Sequence, residues 1–532
     1  MQIIRKLSYD NWFWIILMFT VSFITWGNFF ITISSILLLL LWIAEKKYSQ
    51  KWDILWQRKT PLFLLAIYVV IFIGAVANFP HIRAFKDIWD NSPLLVFALV
   101  LGSRKQLTRK QFHVLMLLYI VSIVLNTMFC FIHFLFNSDS YTDIREVSIF
   151  MSYIRFSLYT LLAIAAIGYY LFYNTRVRIL RKELIFLWIS LFWLIFFVII
   201  LSSITGFVGL ALLFLLFTIS QVKKQKHIVL KLLPISIIVI GIWIVSDAVI
   251  KELRYFTNPD SIDIEKLDKQ TLLGNTYSPF TKNGRLENGR WVDMYVCEKE
   301  IREHWHLYST IPLFKNDEKG HVIYYTLKRY MTSKNLRKDA SGLKQLSKED
   351  IKNIEAGCTN YRFDKQFNLS HRIYEVIWEF HNYKLGRSPA GHSVTQRIEF
   401  LKCSFEVFKQ HMWFGTGVIQ ITEKMAEQYA KKQTKMPEKY WKKPHNQFML
   451  IAVQYGLVGF IIFIGSIIGM IIYSRKNLNI LSICWLSICL ISFFNEDMLD
   501  GIHGLVFFSF FASLFLCVQP VYNEVLNKVK KI

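Results

Sequence analysis

Two residues whose side chains could do chemistry precede the last three apolar runs of the sequence. Arg397 stands at the start of a predicted helix, and His445, followed by Asn446, directly precedes a long apolar run. The planar fork of an arginine binds phosphate oxygens bidentately. A histidine, whose ordinary pKa is about 6.5, accepts a proton at neutral pH. The pair is therefore suited to holding an anionic group and removing a proton, and both residues are candidate catalytic residues.

Each of these residues also has a structural interpretation. Arg397 could form a salt bridge within a soluble domain, and His445 could orient a hydroxyl or simply end a loop at the membrane interface. Asn446 could contact substrate or cap the next helix. Gly415 and Gly417 enclose Thr416 in a tight turn, where glycine serves backbone shape.

Other charged residues are weaker candidates. Arg155 lies at the end of an apolar run, where an ionisable side chain suggests function or snorkelling to headgroups. Arg372 is a further possible ligand for an anion. Glu496 and Asp497 occupy a short turn and offer an alternative base, although a solvated turn is the favoured interpretation. The carboxylates form no obvious metal-ligand pattern, so the sequence predicts no metal.

Motifs for nucleotide and cofactor chemistry are missing from the sequence. There is no Walker-type phosphate loop, no glycine-rich turn after a strand and no HExxH. His304 and His306 lack a third ligand nearby, so they are expected to be surface histidines. The seven cysteines show no CxxC spacing. No cofactor is predicted.

Apolar runs must position these residues. Of 532 residues, 54% are hydrophobic, and they come in unbroken runs long enough to span a bilayer. These features predict an all-α polytopic membrane protein with about twelve transmembrane helices. The predicted spans are 11–27, 29–44, 61–78, 91–102, 111–136, 151–173, 184–203, 206–220, 228–248, 447–473, 479–495 and 502–519.

The basic residues outside the large loop cluster in alternate connections between these spans. This is the positive-inside pattern, so the net charge of +24 does not indicate nucleic-acid binding. Both termini are then expected in the cytoplasm, with no cleaved signal peptide. The chain divides into an N-terminal bundle of about nine helices at 1–248, an outer loop domain at 249–446 and three C-terminal helices at 447–532.

The outer loop domain is expected to be mostly helical. Ser347 is a predicted N-cap with Asp350 three residues later and Gly357 as the stop. A second helix should follow Arg397. Its apolar residues Ile398, Leu401, Phe405 and Phe408 recur at helical spacing.

The C-terminal motifs resemble those of the O-antigen ligase and polymerase superfamily. The resemblance rests on Arg397, Gly415, Gly417, His445, Asn446, Gly456 and Gly459, together with a long outer loop before the last few spans. Stretches such as HRIYEVIWEF and NEDMLDGIHG are similar to ligase-like proteins of Bacteroidetes-type bacteria. One position departs from the family: Ile204 stands where its members usually have an arginine. Arg155 or Arg372 could replace that cation.

The resemblance implies a metal-independent membrane glycosyltransferase. Its expected donor is a glycan on a polyprenyl diphosphate such as undecaprenyl diphosphate, and its expected acceptor is lipid A–core or another glycan. Arg397 would hold the diphosphate and His445 would act on the acceptor hydroxyl. Membrane lipids are further partners, nucleic acid is not, and the site would face the periplasm from the inner membrane, serving lipopolysaccharide biosynthesis.

Three alternatives stay open at the sequence level. Within the superfamily, the chain could be an O-antigen or exopolysaccharide polymerase, or a protein O-oligosaccharyltransferase. Outside it, a flippase or transporter of lipid-linked glycan is less favoured, because such proteins usually show repeated halves and this sequence shows none. For any of the transferases, Arg397 and His445 are expected to converge on one cavity that opens sideways to lipid.

Overall fold

The structure is a computed structural model that describes residues 8–77, 82–137, 144–173, 177–222, 228–280, 282, 284–363 and 369–520. Within these residues the all-α class is confirmed: twenty-one α-helices accompany one two-stranded hairpin. Residues 1–7 of the predicted cytoplasmic stub 1–10 and the basic C-terminal segment 527–531 lie outside them. The chain forms two compact units, Met1–Lys231 with Phe400–Gln433 and Trp441–Ile532, and Leu232–Glu399 with Thr434–Tyr440.

The first unit contains most of the apolar helices. Before the unit boundary these are α1 (Tyr9–Phe23), α2 (Asn28–Ala44), α3 (Tyr48–Arg58), α4 (Thr60–Val76), α5 (Ile82–Asp90), α6 (Ser92–Gly102), α7 (Arg109–Phe136), α8 (Tyr153–Phe172), α9 (Arg181–Ile200) and α10 (Ile204–Val222). Helix α11 (Ile228–Thr257) crosses into the second unit.

The second unit is mainly short helices around a small hairpin. Its elements are β1 (Leu286–Glu287), β2 (Arg290–Trp291), α12 (Glu298–His304), α13 (Ile323–Ser333), α14 (Ala340–Leu343), α15 (Lys348–Glu355) and α16 (Leu369–Lys384). Helix α17 (Ser393–Gln410) leads back to the first unit. There the chain continues as α18 (Gly417–Lys431), α19 (Gln447–Tyr473), α20 (Ile480–Asn495) and α21 (Ile502–Ala512), the last prolonged by a π-helix at Ser513–Val518.

Five of the described helices are long and apolar enough to cross a membrane. They are α7, α8, α9, α10 and α19, and a sixth span results if α2 and α3, which bend by 116°, count as one. Three shorter apolar helices include α4 and α20. Every predicted span falls on a helix, but the total of twelve stays a prediction.

Helix α7 shows how an apolar helix divides between lipid and protein. Leu125, Phe129, Ile132 and Phe136 are exposed and recur at helical spacing along one side. On the buried side, Asn126 donates from Nδ2 to the carbonyl of Thr25 at 2.9 Å. A polar group can lie inside a bilayer only when the protein satisfies it, so the apolar face is the one that meets lipid.

The structure adds two helices where the sequence predicted only connections. Helix α3 lies in the segment expected to be a cytoplasmic loop, and α5 lies in the turn expected at 79–90, of which 79–81 are outside the described residues. Both are short and carry charged residues, so neither has the apolar run that identifies a span.

One predicted helix of the second unit is confirmed with its capping. Ser347 Oγ accepts from the backbone N–H of Asp350 at 3.1 Å, and an Asp350 oxygen accepts from the N–H of Ser347 at 2.8 Å. The reciprocal pair is a capping box. Gly357 follows the helix with φ of 76°, the left-handed conformation that ends a helix.

The predicted helix α17 is confirmed, and its apolar residues Ile398, Leu401 and Phe408 are half-buried. Phe405 is exposed, whereas Phe400, Cys403 and Val407 are buried. The sequence gives α17 two apolar stripes, and periodicity alone does not tell which one packs. The stripe through Phe400 is buried because Phe400 contacts the rings of Tyr429 and His445.

The two glycine motifs meet where the backbone of the tight turn crosses that of α19. Gly415 and Gly456 have φ of 75° and 65°, and Gly456 interrupts the helical conformation of α19. The N–H of Thr416 donates to the carbonyl of Val453 at 2.8 Å, and that of Leu457 to the carbonyl of Met412 at 2.7 Å. At these two glycines the backbone of the tight turn crosses that of α19, and hydrogen bonds hold the two segments together.

Replacing Gly456 with alanine is expected to prevent stable folding. A Cβ there would lie 2.3 Å from the backbone of Trp413, in a conformation that costs an L-residue about 1–3 kcal/mol before any clash. Membrane abundance and thermal stability should both fall. Gly465→Ala in the same helix is the matched control, since its Cβ would meet nothing within 4 Å; equal abundance of the two variants would contradict the crossing.

Candidate active site

His445 faces a pair of carboxylates in the first unit. Its Nδ1 lies 3.3 Å from Oδ1 of Asp497 and 3.8 Å from Oε2 of Glu496. Both acids belong to the turn between α20 and α21, residues 496–501. The favoured sequence interpretation of this turn as solvated is wrong, because Asp497 is buried with its side chain only 11% exposed.

The residues next to His445 attach this turn to the start of α19. Asn446 caps the helix by accepting from the N–H of Met449 at 2.9 Å, and its Nδ2 donates to the carbonyl of Phe494 at 2.9 Å. The buried Gln447 accepts from the N–H of Leu499 at 2.7 Å. The capping interpretation of Asn446 is therefore confirmed, and a contact with substrate stays a prediction.

Arg155, on the first turn of α8, packs against the same turn. An added Cβ on Gly501 would lie 2.6–2.8 Å from its guanidinium atoms, so the missing side chain of Gly501 makes room for this cation. Among the described residues, none hydrogen-bonds or ion-pairs with the guanidinium. Arg155 thus brings five N–H donors to the edge of the carboxylate pair.

Charges in and around the turn shift the pKa values of its two aspartates in opposite directions. Burial raises the pKa of the Asp497 carboxyl, but the hydrogen bond and charge of His445, helped by Arg155, hold it below its ordinary value. Burial raises the pKa of Asp500, and the ammonium of Lys443, 3.4 Å away, only partly opposes this. Asp497 is therefore ionised at neutral pH and can hold the imidazole in one orientation.

Ile204, the departure from the family pattern, begins α10 beside this site. The next residue, Thr205, accepts a hydrogen bond of 2.5 Å from Nδ2 of Asn495, which directly precedes Glu496. Helix α10 packs on α8 and α20. Position 204 thus borders the turn that Arg155 contacts, which supports Arg155 as the replacement cation.

The argument from carboxylate spacing against a metal does not hold. Ligand atoms of His445, Glu496 and Asp497 lie within 4.8 Å of one another, a geometry that could hold a metal ion. The sequence concealed this group because His445 is more than fifty residues from the two acids. Independence from metal stays a prediction.

The other two predicted arginines belong to the second unit. Arg372 pairs with Glu375 at 2.8 Å and donates to Oγ of Ser393, the first residue of α17, at 2.7 Å. These contacts give it a structural role. Arg397 lies half-buried on α17. Its convergence with His445, which lies in the first unit, stays a prediction.

Comparison of the sequence with known protein families finds a match that includes His445 and its motif. Residues 356–464 match the sequence model of the O-antigen ligase family. This segment belongs to the O-antigen ligase family. The match contains all seven motif residues from Arg397 to Gly459, so the resemblance drawn from the sequence is confirmed. No curated protein matches the chain.

The match of residues 356–464 to the O-antigen ligase family and the long apolar helices have joint consequences. The chain is an integral membrane protein. Members of the family are glycosyltransferase-like enzymes, which supports an enzyme acting on a glycan donor and an acceptor at the membrane. The O-antigen ligase match alone does not separate ligase from polymerase.

Two site residues escaped sequence analysis. Gly501 lies in the stretch NEDMLDGIHG, but the sequence gives it no role, and only its packing on Arg155 reveals one. Lys443 follows another lysine, and the sequence alone gives it no role. For Asp497 a signal existed, since acids in a short turn between apolar helices are costly unless paired, and the turn lies on the same predicted membrane face as His445.

Proposed function

We propose that this chain transfers an O-antigen-type polysaccharide from a polyprenyl diphosphate carrier to lipid A–core, as an O-antigen ligase. The observation that carries the proposal is that three side chains meet at one turn. A histidine lies against an ionised carboxylate, and an arginine without a described partner lies beside them. A proton acceptor next to a cation whose N–H donors have no described hydrogen-bond partner suits attack on a diphosphate-linked sugar.

The reaction follows from these roles. With the Nδ1 proton of His445 donated to Asp497, Nε2 is left to take the proton of the acceptor hydroxyl. The hydroxyl oxygen forms a bond to the anomeric carbon of the donor sugar. The bond from that carbon to the diphosphate oxygen breaks, and the polyprenyl diphosphate leaves with the electron pair. Arg155 stabilises the charge that grows on it.

Glycan analysis of a strain that lacks the chain tests the proposal. A ligase predicts loss of polysaccharide on lipid A–core while lipid-linked polymer accumulates. Loss of long chains, with single repeat units still attached to the core, would assign a polymerase instead. An unchanged core with a protein stripped of glycan would assign protein glycosylation, and accumulation of donor on the cytoplasmic face would assign a flippase.

Transfer by the purified protein is expected to continue in excess chelator. Arg155 and Lys443 already place positive charge at the carboxylate turn, so a divalent ion is not needed to balance it. The rate of glycan transfer should be measured before and after chelation. Loss of activity that returns with Mg²⁺ or Mn²⁺ would show that His445, Glu496 and Asp497 hold a metal.

The proposed orientation in the inner membrane predicts the outcome of reporter fusions. A fusion at Lys476, in the basic connection between α19 and α20, should report the cytoplasm. A fusion at Lys319, in the second unit, should report the periplasm. A cytoplasmic signal from Lys319 would place the second unit on the wrong side of the membrane for a periplasmic transferase.

A further inference from the structure

Two large aromatic side chains are exposed in the turn between α17 and α18, residues 411–416, which we call the aromatic turn. Trp413 is 60% exposed and Phe414 is 79% exposed, and the preceding Met412 is 41% exposed. Three consecutive exposed apolar side chains form a patch of the kind that meets a partner or a membrane. The whole turn belongs to the first unit, as does α19.

The backbone of the aromatic turn is bonded to α19. The N–H of Leu457 donates to the carbonyl of Met412 at 2.7 Å, and the N–H of Val458 donates to the carbonyl of Trp413 at 3.3 Å. A Cβ on Gly456 would lie 2.3 Å from the backbone of Trp413, so the absence of a side chain there permits this approach. The position of the aromatic turn along α19 is therefore fixed.

The aromatic turn meets α19 within the part of that helix that crosses the membrane. Helix α19 has 27 residues, and about 20 residues are enough to span the hydrocarbon of a bilayer. Even if the remaining residues, about seven, all lay at its start, the hydrocarbon would begin near Gln454, before Leu457 and Val458. The aromatic turn therefore lies beside a membrane-embedded stretch of α19 and not beyond its end.

The lipid-facing side of α19 begins at a residue that the aromatic turn contacts. Val458, Ile461, Ile468 and Ile472 are all exposed and recur at helical spacing along one side of the helix. Val458 is the first of them, and it is the residue whose N–H bonds to Trp413. The exposed patch of the aromatic turn thus adjoins the apolar stripe by which α19 meets lipid.

Hydrogen bonds within the protein suit the aromatic turn to a bilayer. An irregular segment can enter hydrocarbon only when its polar backbone groups are satisfied by the protein. The carbonyl of His411 accepts a bond of 2.9 Å from within the turn, and the N–H of Thr416 donates to the carbonyl of Val453 at 2.8 Å. Since the carbonyls of Met412 and Trp413 bond to α19, three consecutive carbonyls have partners inside the chain.

We propose that the aromatic turn inserts Trp413 and Phe414 among the phospholipids of the leaflet at the N-terminal end of α19. A tryptophan suits the boundary between headgroups and acyl chains, because its ring is apolar and its N–H is polar. A segment that the sequence places in the outer loop domain is then embedded in the membrane without being a transmembrane helix. This inference concerns lipid binding and does not depend on the glycosyl transfer proposed above.

Photo-crosslinking of the full-length chain in nanodiscs of phosphatidylethanolamine and phosphatidylglycerol tests the insertion. Phe414→benzoylphenylalanine places the crosslinker in the aromatic turn, Ile461 on the stripe of α19 is the positive reference, and Leu307, 64% exposed in the second unit, is the matched control. Irradiation should give a phospholipid adduct at position 414 in a yield like that at 461. An adduct to a second copy of the chain, or no more lipid adduct at 414 than at 307, would overturn the proposal.

Charged substitutions at Phe414 give an independent measurement of the same insertion. In nanodiscs, Phe414→Asp should lower the Tm, because a short carboxylate side chain cannot reach the headgroups. Phe414→Lys should lower it less, because the long lysine side chain extends its ammonium to them. Leu307→Asp, the control at an exposed residue of the second unit, should leave the Tm unchanged. Equal Tm values for Phe414→Asp and Leu307→Asp would place the aromatic turn in water and refute the insertion.

Discussion

Replacing His445 with alanine is expected to lower the rate of glycan transfer by about a hundredfold or more, as losses of a general base do. The variant removes the only imidazole that ion-pairs with the acids of the turn at 496–501 among the described residues. Protein abundance should remain near normal, because α19 is capped by Asn446 and not by His445. The measurement is transfer by purified protein at saturating donor.

Two further variants test the role of His445: one is a control at another histidine, and the other removes the negative charge of Asp497. His306→Ala, which removes a histidine of the second unit, should transfer at the wild-type rate. Asp497→Asn leaves a group that can still contact Nδ1 but removes the charge that holds the imidazole, so it should slow transfer. Wild-type rates in His445→Ala would exclude the mechanism even though the family stands.

The apolar helices were predictable because their signal is local. A run such as that of α19 identifies itself by composition, and Ser347 with Asp350 identifies a helix start by spacing. Helix α17 was predictable as a helix for the same reason. Which of its stripes packs was not, because Phe400 is buried only through its contacts with Tyr429 and His445.

The candidate site was half predictable. Arg397 and His445 carry motif signals within one stretch of the chain. The partners of His445 come from a turn some fifty residues later, and Arg155 comes from α8 near the start, so only folding brings them together. Charge pairing of that kind has no repeating spacing in the sequence, which is why the sequence alone favours a solvated Asp497.

Arg155 is expected to contribute about as much as one charged hydrogen bond to the leaving diphosphate. Such bonds are worth about 1.5–3 kcal/mol, so Arg155→Ala should slow transfer roughly tenfold to a hundredfold. Gly501→Ala should act through the same residue. Its backbone φ of −146° suits any side chain. The new Cβ nevertheless occupies the place of the guanidinium, 2.6–2.8 Å away, and must displace it.

The double variant decides whether Gly501 acts by positioning Arg155. Since both changes remove the same interaction, Arg155→Ala with Gly501→Ala should be no slower than Arg155→Ala alone. The guanidinium is the flexible end of a side chain, so Gly501→Ala should fold and accumulate normally, as should the Gly465→Ala control. Additive losses in the double variant, or a wild-type rate in Gly501→Ala beside a slow Arg155→Ala, would show that the turn does not hold the cation in its working position.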